Sequence, residues 1–151
     1  MKVLTVCLGN ICRSPAAQGI LEHFAQQKGL DISVDSAGTA AYHIGKLPDA
    51  RSIRALKSAG IDISHQRARQ VTLSDFDRFD WIVAMDAENL VNLQRIKPAQ
   101  CHAKVVMFGR YRDAVDFGEV DDPYYGGDQG FEDMKNQLMM ISNDFLDHLY
   151  D

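Results

Sequence analysis

Lys2-Val3-Leu4-Thr5-Val6-Cys7-Leu8-Gly9-Asn10-Ile11-Cys12-Arg13-Ser14-Pro15 is the stretch that decides how this chain folds. Lys2–Val6 reads as a buried strand. Ser14-Pro15 reads as a helix start, with serine at the cap and proline in the first turn. Ala17, Ile20, Leu21 and Phe24 then recur at helical spacing, and Gly29 closes the helix. Between strand and helix lies a tight loop. Main-chain N–H groups converge in such a loop, and the helix dipole adds partial positive charge, so it suits an anion.

The same alternation continues outward. Ile32–Ser36 reads as a second strand, and Ala37–Leu47 as a loop carrying Tyr42 and His43. Pro48 to Ala59 is a second helix, with Gly60 at its end. Trp81–Met85 is an uninterrupted apolar strand, and Asp86 is placed to cap a helix whose inner face includes Leu90 and Leu93. Lys104–Phe108 is a fourth strand. Arg110–Gly130 has no periodicity and is rich in Asp, Gly and Tyr. Phe131–Leu149 closes the chain as a helix. Alternating strands and helices predict an α/β fold over residues 1–151, one domain, with a parallel sheet wrapped by helices on both faces. Ligands of such sheets sit beyond the carboxyl ends of the strands, where Cys7 stands.

The chain has 151 residues and a formal net charge of -5. That balance argues against nonspecific nucleic-acid binding, which needs a basic surface. An anionic ligand must therefore be drawn in locally, by the loop and Arg13. Cys7, Cys12 and Cys101 make an odd set, unlike a disulfide-built secreted domain. No apolar run reaches the roughly 20 residues of a membrane helix, and no leader is expected. A reducing cytoplasm is the expected compartment. No His/Asp cluster has metal spacing, so neither metal nor cofactor is expected.

Five residues separate Cys7 from Arg13, enough chain to turn once around a tetrahedral oxyanion. Gly9 and Asn10 tolerate the left-handed backbone such a turn needs. Arg13 supplies a two-pronged contact to the anion. Ser14 is placed to donate to the Cys7 sulfur as well as to cap the helix. A cysteine at the mouth of such a loop gives up its proton readily and becomes a nucleophile.

Cys7-Leu8-Gly9-Asn10-Ile11-Cys12-Arg13-Ser14-Pro15 resembles the signature of the low-molecular-weight protein tyrosine phosphatases. Further similarity lies in Asp35-Ser36-Ala37-Gly38, in His65 with Arg67-Ala68-Arg69-Gln70, in Ala84-Met85-Asp86, and in Asp122-Pro123-Tyr124-Tyr125-Gly126. The resemblance implies a flavodoxin-like fold with a four-stranded parallel sheet. It implies a hydrolase for phosphotyrosine monoesters that works through a phosphocysteine, binds phosphate or vanadate, and needs no metal. Its partners would be phosphotyrosine-containing proteins, a bacterial tyrosine kinase among them.

A thiolate displacing an ester oxygen needs an acid on the far side to protonate the leaving group. Asp122 is the best candidate, since Pro123 restricts the backbone before it, and Asp121 is the alternative. The resemblance implies the acid role for Asp122. It also implies that Asn10, Ser36 and His65 hold the phosphate loop in shape and that Asp86 orients the arginine. Leu8, Ile11, Tyr42, Tyr124 and Tyr125 match the walls of the substrate slot, with Tyr42 in place of a tryptophan found in some members. Similar enzymes for phosphoarginine carry threonine where Ile11 stands. The resemblance further supports a reversible Cys7–Cys12 bond that protects an oxidised nucleophile. A thiol-dependent arsenate reductase would need resolving cysteines near residues 80 to 95, and Trp81–Ile96 holds none. A non-catalytic phosphate-binding module would lack the nucleophile or the acid.

Overall fold

A computed structural model describes residues 1–149; Tyr150 and Asp151, the end of the expected domain, lie outside the described residues. Four parallel strands form one sheet in the order β2-β1-β3-β4: β1 is Lys2–Cys7, β2 Ser33–Gly38, β3 Trp81–Ala84 and β4 Lys104–Met107. The register pairs Val3 with Val34 on one side and with Trp81 on the other. This is a three-layer α/β fold of flavodoxin-like strand order, with β1 central and the chain reversing direction beside it.

Helices α1 (Arg13–Lys28), α2 (Ala50–Lys57) and α5 (Gly127–Asp147) lie on one face, and α3 (Asp75–Arg78) and α4 (Ala87–Ile96) on the other. Alternation along β1 splits its side chains between two cores. Val3 joins Ile20, Leu138 and Phe145 on the α1/α5 face. Leu4 and Val6 join Phe76, Ile82 and Leu93 on the α4 face.

Three boundaries differ from the sequence reading. Helix α1 starts at Arg13 with Cys12 at its cap, and Ser14 makes no capping bond because its hydroxyl is used sideways. The four-residue α3 lies in a stretch without periodicity. Helix α5 begins at Gly127, within the segment expected to be loop.

Candidate active site

The loop from Cys7 to Arg13 takes its shape from where its carbonyls go. Thr39 N–H donates to Cys7 O (2.9 Å), Ala40 N–H to Leu8 O (3.0 Å) and Asp49 N–H to Ile11 O (2.7 Å). Cys12 O accepts from Ala16 N and from Ser52 Oγ. The carbonyls are thus engaged behind the loop. Among the described residues, no main-chain carbonyl accepts from the N–H groups of Leu8 through Cys12. Those donors are left for an anion.

Asn10 holds the turn. Its φ is 58°, in the left-handed region, which an asparagine tolerates when its side chain is locally bonded. Asn10 Nδ2 donates to Ser14 Oγ (2.8 Å) and Ser36 Oγ (3.0 Å), and Oδ1 accepts from Arg69 N (3.0 Å). Gly9 does not share the positive φ. Its need is space, because a Cβ there would come within 2.9 Å of the His43 ring. The Arg69 side chain anchors this arrangement by pairing with Asp35 (3.1 Å) and with fully buried Asp75 (2.9 Å).

Cys7 Sγ lies 2.9 Å from Ser14 Oγ. The Arg13 guanidinium is buried; Nη1 donates to Asp86 Oδ2 (2.6 Å) and Val120 O (3.0 Å). Burial pulls its pKa down, but Cys7, Asp86 and Asp122 more than offset that and hold it above the ordinary arginine value. Asp86 splits its work: the other oxygen accepts from Asn89 N (2.7 Å) and caps α4. Asp86 thus contacts Arg13 and the α4 N-terminus at once. Asp122 reaches over from the opposite side, 3.9 Å from Arg13 Nη2.

Cys7, Leu8, Ile11, Cys12, Arg13, Tyr42, Asp122, Tyr124 and Tyr125 line one cleft of about 290 Å³. His43 lines it too, a residue singled out only as part of the loop. Asp121 is exposed and is not among the lining residues. The Arg51 guanidinium backs the wall, 5.3 Å from the Tyr124 ring and 4.6 Å from Phe131. The Cys12 thiol is pushed up by burial, and then by Asp49 and Cys7.

His65 does not join the site. It is exposed, and the buried place beside it belongs to Gln66. Gln66 Nε2 donates to Pro15 O (3.0 Å), and Oε1 accepts from Ser36 Oγ (3.5 Å). Ser64 and His65 form the tip of a turn closed by Gln66 N–H to Ile63 O (3.1 Å), which leaves His65 outward and brings Gln66 back inside. The sequence signal for Gln66 was its place beside a motif; the resemblance pointed to its neighbour instead.

A family model described as low molecular weight phosphotyrosine protein phosphatase matches residues 2–150. The chain belongs to this family. A Schizosaccharomyces pombe protein of that name is 46% identical over 97% of this chain and 95% of its own. Among solved structures, a protein tyrosine phosphatase from Entamoeba histolytica superposes with a TM-score of 0.92 at 38% identity, covering 99% of this chain and 96% of that one. A Drosophila arginine phosphatase superposes at 0.91 with 35% identity, covering 100% and 99%.

Proposed function

We propose that residues 1–151 work as one domain that hydrolyses phosphotyrosine monoesters on proteins, with Cys7 as nucleophile and Asp122 as general acid and base. The carrying observation is that Cys7, Arg13 and Asp122 converge on one cleft, and that the N–H groups of Leu8 through Cys12 donate to no main-chain carbonyl among the described residues. The Cys7 thiolate attacks phosphorus in line, forming an S–P bond as the P–O bond to the tyrosine breaks. Asp122 gives its proton to the leaving oxygen. Water then attacks the phosphocysteine while Asp122 takes a proton back; inorganic phosphate leaves and the thiolate returns. Loop amides and Arg13 hold the equatorial oxygens through both steps. Asn10, Ser36 and Asp86 act as positioning residues.

The family's name and the pattern of walls support an aryl substrate. Ile11 lines the cleft and offers an apolar surface to a ring, which a guanidinium would not favour. The likeness to an arginine phosphatase keeps phosphoarginine as the second reading. A cytoplasmic setting fits the three free cysteines. A tyrosine kinase that is itself phosphorylated is one partner of the right chemistry. A peroxide would oxidise the Cys7 thiolate by two electrons to a sulfenic acid, its O–O bond breaking to release hydroxide, and the Cys12 thiol would then condense with it to a disulfide and water.

The test is turnover of phosphotyrosine against phosphoarginine in metal-free buffer. We expect phosphotyrosine to win, and Cys7→Ser to lose turnover by on the order of 10⁴-fold while still binding vanadate. Undiminished turnover in Cys7→Ser would reject the assignment.

A further inference from the structure

We propose that Arg51 is a positioning residue: given the acid role of Asp122 above, it holds the 121–126 turn in register with the phosphate loop through the Tyr124 ring.

The turn has need of such a hold. Among the described residues, the one main-chain bond donated from it is internal, Gly126 N–H to Pro123 O (2.8 Å). Tyr124 N–H donates to Asp122 Oδ1 (3.1 Å), so the carboxylate follows wherever Tyr124 goes. Pro123 is buried and seats the base of the turn, whereas Asp122 and Tyr124 are exposed at its tip. The tip is therefore placed by side chains.

The Arg51 guanidinium meets that requirement. It lies over the exposed Tyr124 ring and over Phe131, which is buried in the core beneath α5. One cation thus couples a free ring to a fixed one. Its own place is set from the phosphate loop. Asp49 N–H donates to Ile11 O (2.7 Å), and Ser52 Oγ to Cys12 O (3.2 Å). Between these anchors, Arg51 Nε and Nη2 each donate to a different Asp49 oxygen at 3.0 Å. A two-pronged pair fixes the plane and direction of a guanidinium, which a lysine in its place would not achieve. The same bonds hold the Asp49 carboxyl below the usual carboxylate range, so the pair stays ionic under assay conditions.

A line of contacts therefore runs from Ile11 through Asp49, Arg51 and Tyr124 to Asp122. It links the loop that carries the nucleophile to the turn that carries the acid. Arg51 is not among the residues lining the cleft, so its action on the reaction passes through Tyr124. Separation between the two groups matters steeply, since a misplacement of about 1 Å can cost on the order of 10²-fold in rate.

Arg51→Met, measured on phenyl phosphate and p-nitrophenyl phosphate, alone and combined with Asp122→Asn, tests the link. Methionine keeps much of the length and loses the charge and the fork. The Arg51 side chain is 29% exposed, and melting curves will report whether the variant folds. Asp49→Asn is the second variant; it retains a good cap for α2 and weakens the fork. In Arg51→Met we expect kcat/KM to fall about ten-fold on phenyl phosphate, whose leaving group needs the acid, and at most about two-fold on p-nitrophenyl phosphate. Asp49→Asn should show the same bias at about three-fold. Vanadate affinity should stay at the wild-type value in both. Once Asp122 is asparagine, Arg51→Met should cost phenyl phosphate nothing more. Equal losses on the two esters, no loss on either, or a loss that persists in the Asp122→Asn background would each overturn the proposal. If Asp122→Asn alone treats the two esters as wild type does, the acid assignment fails instead.

Discussion

Cys7, Asn10, Cys12, Arg13 and Ser14 are almost wholly buried, whereas Asp121, Asp122 and Tyr125 across the cleft stand in solvent. The Asp122 side chain is 52% exposed, and its recorded ties are the Tyr124 N–H at 3.1 Å and Arg13 at 3.9 Å. Behind the phosphate loop, by contrast, bonds reach Ser36, Gln66, Arg69 and Asp86. In the mechanism proposed above, the two sides meet different demands. Charge developing on the phosphoryl oxygens is stabilised best by dipoles that need not reorganise. A proton donor must instead let substrate in and water follow, so freedom on that side is useful.

Changing the free side should act on chemistry alone. Asp122→Asn is expected to lower kcat by about 10²- to 10⁴-fold, with phenyl phosphate hit harder than p-nitrophenyl phosphate, whose leaving group needs less help. An equal loss on both esters would break the contrast. On the rigid side, shape and chemistry should fail together. Asn10→Ala keeps φ 58° but removes all three side-chain bonds that let asparagine adopt it, costing about 1–2 kcal/mol. We expect activity down by about 10²-fold, with weaker vanadate binding and a lower denaturation midpoint. Gln66→Leu removes the side-chain donor to Pro15 O and leaves the Ser36 hydroxyl proton without its acceptor. Stability should fall by about 1–3 kcal/mol and kcat should drop, whereas His65→Ala should change neither.

The smallest effect is expected at the opposite end of the sheet. The His102 ring, and then the Lys2 N–H, hold the Asp80 carboxyl below the usual carboxylate range. A depressed carboxyl adds stability above its unfolded value of about 3.9, and loses it as pH falls through the folded value. Asp80→Asn should therefore lower the melting temperature slightly at neutral pH and not at all in strong acid. Activity at neutral pH should match wild type, since neither Asp80 nor His102 lines the cleft.

The legible parts of the molecule were those with local causes. Apolar runs placed all four strands to within about two residues, most plainly the inner strands β1 and β3, which are buried on both faces. Helix α3 was missed because four residues cannot show a period. Ser14 looked like a cap, and only tertiary structure shows its hydroxyl committed to Cys7 and Asn10. Cys7, Arg13 and Asp122 were nameable from chemistry and motif. Gln66 was not, because its partners lie 30 and 51 residues away and its amide resembles any surface polar group.

The phosphate loop is written in the first fourteen residues, but its supports arrive much later in synthesis. Asn10 needs Ser36 and Arg69, and Arg13 needs Asp86 and Val120. A nascent chain halted before residue 69 carries the thiol without the cradle. The cradle therefore waits until residues 86 and 120 have emerged and the distant supports close around the thiol.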